Sequence, residues 1–155
     1  MNKYWTPEFI QAVANAESFE TLAEIAIKML DQMSQEGKPI VEICGPISTG
    51  GEGDLEKNIK KFELAIKRAL ENNLLVFNVG PFESAIQKLK KKYPITDGYC
   101  LAILDTFYLT IFKSGYIKQA LFLADWQSSK GACWERETLS KLNIPIADYP
   151  IHWLK

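Results

Sequence analysis

Two periods of apolar residues alternate along this chain, and the first switch between them falls near Pro39. Before it, residues 7–36 read as helix. Thr6 followed by Pro7 is a capping hydroxyl ahead of a first-turn proline. Ser18 stands where it would cap a second helix whose apolar stripe runs Leu22, Ile25, Ala26, Met29 and Met33, and Gly37 stops it. This pair of helices would either cover a core or meet a partner subunit.

From Pro39 onward the pattern becomes strand, loop, helix, strand. Residues 40–44 are a short β-rich run, followed by a glycine-rich loop over 45–53. Asp54 then caps a helix with apolar positions Leu55, Ile59, Phe62, Ile66 and Ala69, spacings that fit a 3.6-residue period. Residues 74–77 make a second buried strand, and 82–92 a helix whose lysine-rich end suits the helix dipole. The stretch 99–112 is apolar nearly all round; its length favours a buried helix over a strand. Residues 120–124 form a third strand, 132–142 a last long helix and 144–146 a short final strand. Alternating strands and helices joined by short links predict a parallel sheet with right-handed crossovers and helices on both faces. The expected fold is therefore α/β, a flavodoxin- or Rossmann-like three-layer sandwich with an added N-terminal helical segment. Helices fill 1–38, the core 39–147 and a tail 148–155, within a single domain.

Composition narrows the function. Eighteen basic side chains nearly cancel nineteen acidic ones, for a net charge of −1. That balance argues against duplex nucleic acid or an anionic membrane as partner, since both select clustered positive charge. A small nucleotide stays open, because backbone amides bind phosphate without a basic surface. The three cysteines, Cys44, Cys100 and Cys133, form no CxxC pair, and His152 is the sole histidine. No metal site and no cofactor are expected on that basis, and the thiols read as free in a reducing, cytoplasmic setting. The opening residues MNKYWTPEF contain no apolar stretch of the leader type and no long apolar run follows, so a soluble, cytoplasmic protein is expected.

Two loops leave predicted strands at the edge where open α/β sheets bind ligands. The first has four glycines in nine residues, Gly45, Gly50, Gly51 and Gly53, with Pro46, Ile47, Ser48 and Thr49 among them. It matches neither GxGxxG nor GxxxxGK[ST], and a mobile surface turn is the competing reading. The second runs from Asp125 and Trp126 to Ser129 and Gly131 and leads to Glu135. With Ala132, Leu139 and Leu142 as the apolar positions of the last helix, Glu135 shares their inward face. A carboxylate there is costly unless paired or used. Placed in the first turn, it would be held ionised by the helix dipole and would suit a nucleophile attacking an anomeric carbon. The plain alternative is a glutamate bonded to backbone or to a lysine.

The run Cys44-Gly45-Pro46-Ile47, then Asn58-x-x-x-Phe62-x-x-Ala65, Val76-Phe77-Asn78 and Ser129-x-Gly131-x-x-x-Glu135, resembles the nucleoside 2-deoxyribosyltransferase-like superfamily, closest to an uncharacterised bacterial and phage branch. The resemblance spans residues 40–146 and leaves the N-terminal helices outside. It implies a flavodoxin-like fold, a glutamate at Glu135 that attacks the sugar C1′, and sites often completed across a dimer. Ser129 stands where relatives that hydrolyse deoxynucleoside 5′-monophosphates carry a phosphate-binding serine. Gly45 to Gly51, Asn78, Trp126, Ser129 and Gly131 would then bind the nucleotide. The acid that assists the leaving base would fall near Ile111, which cannot supply a proton; Asp105 is the nearest substitute, with Asp97 and Asp125 as weaker ones. Trp126, Trp134, Tyr99 and Tyr108 would be either a base-stacking wall or core. The leading expectation is cleavage or transfer of an N-glycosidic bond. A non-catalytic nucleotide-binding module is the second, and assembly through the N-terminal helices the third.

Overall fold

The computed structural model describes residues 3–47 and 49–155, which divide into two compact units. The first joins residues 1–37 to 79–116, and the second joins 38–78 to 117–155.

The first unit is helical. Helices α1 (Pro7–Asn15) and α2 (Phe19–Ser34) start at Thr6 and Ser18, whose hydroxyls accept from the amides of Phe9 and Thr21. Helix α4 (Glu83–Lys90) follows a 3₁₀ turn at Gly80–Phe82. The apolar run near residue 100 is helical, as its length predicts, but its centre is a π-helix (Ile103–Tyr108) that passes into α5 (Leu109–Lys113). Aromatic rings hold the unit together. Phe82 meets Trp5 edge-on at 5.0 Å and Phe107 at 5.4 Å, while Phe19 stacks on Tyr93 at 4.4 Å.

The second unit carries the sheet. Strands β1 (Ile40–Cys44), β2 (Leu75–Val76), β3 (Ile117–Phe122) and β4 (Ile146–Asp148) lie in the order β2-β1-β3-β4, and every pairing is parallel. The fold is thus the expected Rossmann-like parallel α/β type. Each residue of β1 is buried, as a central parallel strand requires. Helix α3 (Leu55–Glu71) links β1 to β2, and α6 (Lys130–Lys141) links β3 to β4. Ile40, Glu42 and Cys44 share one face of β1 by alternation, and α6 lies over it, since Cys44 reaches Glu135. The two crossovers move in opposite directions along the sheet, so the right-handed rule assigns α3 to the other face.

The strand ends differ slightly from the sequence pattern, for local reasons. β3 begins at Ile117 rather than 120 because its pairing with β1 skips Lys118, an irregularity that lets the charged side chain face solvent. β4 begins at Ile146 because Pro145 has no amide; its carbonyl instead accepts from Ala120. No helix among the described residues is long and apolar enough to cross a membrane.

The buried Tyr149 hydroxyl donates to the Ala65 carbonyl at 2.8 Å and ties the end of β4 to α3. Tyr149→Phe removes this bond and should lower unfolding free energy by about 1 kcal/mol, measured as a lower urea midpoint with unchanged slope.

Candidate functional site

Three titratable side chains of the second unit meet at the carboxyl end of β1. Glu42 and Cys44 project from the strand, and Glu135 comes down from α6 beside the buried Ala132 and Leu139. The Cys44 thiol donates to Glu135 Oε2 at 3.4 Å. One oxygen of each carboxylate and the Cys44 Sγ all lie within 4.8 Å of one another. Glu42 and Cys44 are each 1% exposed and Glu135 8%, so Glu135 is the member nearest solvent. Among the described residues, neither Glu42 oxygen has a hydrogen-bond partner.

Burial sets the electrostatics. It pushes the Glu135 carboxyl up to about 8, with the Cys44 thiol pulling the other way by donating to it. It also raises Glu42 well above the usual carboxylate range, reinforced by the Glu135 charge. The Cys44 thiol is raised by burial and then by both carboxylates. The dipole argument for an ionised Glu135 does not hold: α6 begins at Lys130 and has no acidic residue in its first turn. Glu135 sits one turn further in, where the dipole has faded, and desolvation decides its charge. One carboxyl that gives up its proton near pH 8, beside a second whose proton its charge retains, can act as a nucleophile and acid pair. With the thiol, the same atoms form a ligand set for a metal ion.

The two glycine-bearing loops flank this cluster and are fastened together. Gly51 N donates to Ser128 Oγ at 2.7 Å, and Lys130 N to Thr49 Oγ1 at 3.0 Å. Gly50 has φ +71°, and a Cβ there would lie 2.0 Å from the Ser128 carbonyl oxygen, so only glycine lets the loops approach. The buried Asn58 clamps the first loop from α3. Its Nδ2 donates to the carbonyls of Ile47 and Gly50, both at 3.0 Å, and its Oδ1 accepts from Glu52 N at 2.9 Å.

Gly45, Pro46, Ile47, Thr49, Gly50, Gly51, Asn78, Trp126, Ser129, Gly131 and Glu135 all belong to the second unit; Ser48 lies outside the described residues. Ser129 is buried and caps α6, its hydroxyl accepting from Ala132 N at 3.2 Å. One face of the half-buried Trp126 is covered by the Arg136 guanidinium, 4.5 Å from the ring centre. Asp105 is exposed on the π-helix of the first unit, and Asp97 takes φ 51° in a turn there. Asp125 is bound to Lys61 at 2.8 Å. The carboxyl found beside Glu135 is Glu42; Ile111, near which sequence reasoning looked for a partner, belongs to the first unit. The signal for Glu42 was its being the single charged residue in a β-rich run that is otherwise apolar. A groove of about 510 Å³ in the first unit, lined by Ala23, Ile27, Thr106, Thr110 and the charged rim of α2, holds no comparable cluster.

Comparisons of the chain with family models, curated proteins and solved structures return no match.

Two outcomes test this geometry. Asn58→Ala strips three bonds from the first loop and should destabilise the protein by about 2–4 kcal/mol, seen in the thermal midpoint. The second concerns pH. Glu135 binds its proton more tightly folded than unfolded, so its contribution falls as pH rises from about 4.5 to about 8 and is flat above. In chelator-treated protein, the stability of Glu135→Gln relative to wild type should therefore grow through that window, by a few kcal/mol in order of magnitude. Parallel urea midpoints from pH 5 to 9 would contradict the assignment.

Proposed function

We propose that the second unit cleaves or transfers the N-glycosidic bond of a nucleoside, with Glu135 as nucleophile. The observation that carries the reading is the Glu42–Glu135 pair. Two carboxyl groups with oxygens within 4.8 Å are close to the roughly 5–5.5 Å spacing of glycosidases that work through a covalent intermediate. In such a step a Glu135 oxygen bonds to C1′ as the bond from C1′ to the base breaks. The base leaves with the proton carried by Glu42; water or a second base then attacks C1′ and frees the Glu135 carboxylate, while Glu42 takes a proton back from the incoming group. Glu42, whose proton the Glu135 charge holds in place, is the proton-carrying member behind it.

Glu135 is the member of the cluster nearest solvent, and it stands at the sheet edge where ligands enter α/β folds. The loop amides favour a nucleoside over its 5′-monophosphate. Gly51, Glu52, Gly53, Lys130 and Ala132 all donate to protein oxygens already, so a phosphate would have to displace those bonds. The deep burial of Glu42 and Cys44 favours a second reading, the same site as a binding module without turnover.

The test is a panel of nucleosides and 5′-monophosphates incubated with chelator-treated protein, with free base followed by chromatography. The glycosidic reading expects base release from nucleosides that drops at least about 10³-fold in Glu135→Gln. Release that persists in Glu135→Gln overturns it. Saturable nucleoside binding without release selects the binding module.

A further inference from the structure

We propose that Glu42, Cys44 and Glu135 form a binding site for a divalent d-block ion of the zinc type. Sequence spacing argues against a metal, because no CxxC or histidine pair is present. The fold supplies the ligands differently: two come from one face of β1, and the third arrives from α6, 91 residues after Cys44. The three ligand atoms already lie within 4.8 Å of one another, and the Cys44–Glu135 pair is at 3.4 Å. A tetrahedral ion with bonds of about 2.0–2.3 Å needs its ligands about 3.5 Å apart. The triad would therefore close by about an ångström, a rotamer-scale movement.

The independent observation is Glu42. It is 1% exposed, both of its oxygens lack a hydrogen-bond partner among the described residues, and it points into the cluster. Buried carboxylates are otherwise paired, hydrogen-bonded or metal-bound, and among the described residues no salt bridge reaches Glu42 or Glu135. An ion between Glu42 and the other two ligands would satisfy those oxygens. The donor set selects the class. Sulfur beside carboxylate oxygen suits Zn²⁺ and its borderline neighbours. Ca²⁺ and Mg²⁺ take oxygen ligands and a larger coordination shell. Three protein ligands leave a fourth position on the Glu135 side, the side nearest solvent.

Occupancy would also commit the Glu135 oxygens to the ion, so the ion would inhibit glycosyl transfer. That consequence, unlike binding itself, rests on the glycosidic reading.

The experiment uses the full chain, reduced and freed of metal, carrying Cys133→Ser to remove the exposed thiol. Titration with Co²⁺ should produce a near-ultraviolet thiolate-to-cobalt band that Zn²⁺ abolishes by displacement. The band should vanish when Cys44→Ser is added. Glu42→Gln should weaken Zn²⁺ binding, followed by competition with a chromogenic indicator, by about tenfold or more. Should Cys44→Ser fail to fold, Glu42→Gln and Glu135→Gln decide the matter through the Zn²⁺-dependent rise in thermal midpoint, which both should lose. Absence of the band, its persistence in folded Cys44→Ser, or a midpoint rise undiminished in both Gln variants overturns the site. The nucleoside panel, run with chelator, is unaffected by any of these results. A metal-free glycosidase and a metal site without glycosidase activity are therefore separable outcomes.

Discussion

Two carboxyl groups and a thiol are buried together at a parallel strand, with no salt bridge to either carboxyl among the described residues, and the chemistry open to the second unit follows from that placement. Taking one carboxylate out of water costs several kcal/mol, and two side by side cost more. The protein does not offset this with a salt bridge. It lets protons remain on the acids, at the expense of stability at alkaline pH. A cluster of this kind is poorly explained by folding alone, since apolar residues of the same volume would fill β1 and α6 at lower cost. Its presence in the core points to a use.

Much of the scaffold was legible in the sequence. Capping at Thr6, Ser18 and Asp54, the stripe of α2 and the β-rich run of β1 each rest on local rules, and the structure follows them; in α3 the stripe holds at Phe62, Ile66 and Ala69, while Leu55 is exposed. What stayed hidden was non-local. Lys118 breaks the apolar pattern of β3, yet it is the residue that the pairing with β1 steps over. The π-helix carries no period of its own in an aromatic run that is buried on several sides. Glu135 could be assigned to the inner face of α6 from its spacing, but its charge state could not. That depends on its burial and on Cys44, far away in the chain, and on a helix start that spacing fixes only to within a turn.

The two loops show the same division. Their glycines mark them in the sequence, and the natural reading is an open cradle for a phosphate. In the structure the cradle is closed on itself: the hydroxyls of Ser128, Thr49 and Ser129 accept amide protons that an anion would otherwise claim. The absence of a Cβ at Gly50 serves the contact with Ser128 rather than the approach of a ligand. Glycine-rich loops at the edge of a parallel sheet therefore do not by themselves imply phosphate. The inference depends on whether their amides are still available, which composition does not reveal.

Proton, sugar carbon and metal ion would compete for the same lone pairs of Glu135, and the cluster treats them unequally. A proton needs only one oxygen and relieves the burial penalty at once, which is why it holds Glu135 up to about pH 8. A sugar carbon also engages one oxygen, but it must approach from the partly open side and would draw on Glu42 only for a proton. An ion alone would engage all three groups together and neutralise more than one charge, so it alone would give both Glu42 oxygens a partner. The depth of Glu42 thus separates the roles: in the proposed glycosyl transfer the bond to carbon forms at Glu135, near the rim, whereas both oxygens of the almost fully buried carboxylate beneath it are satisfied together only by an occupant that bridges strand and helix.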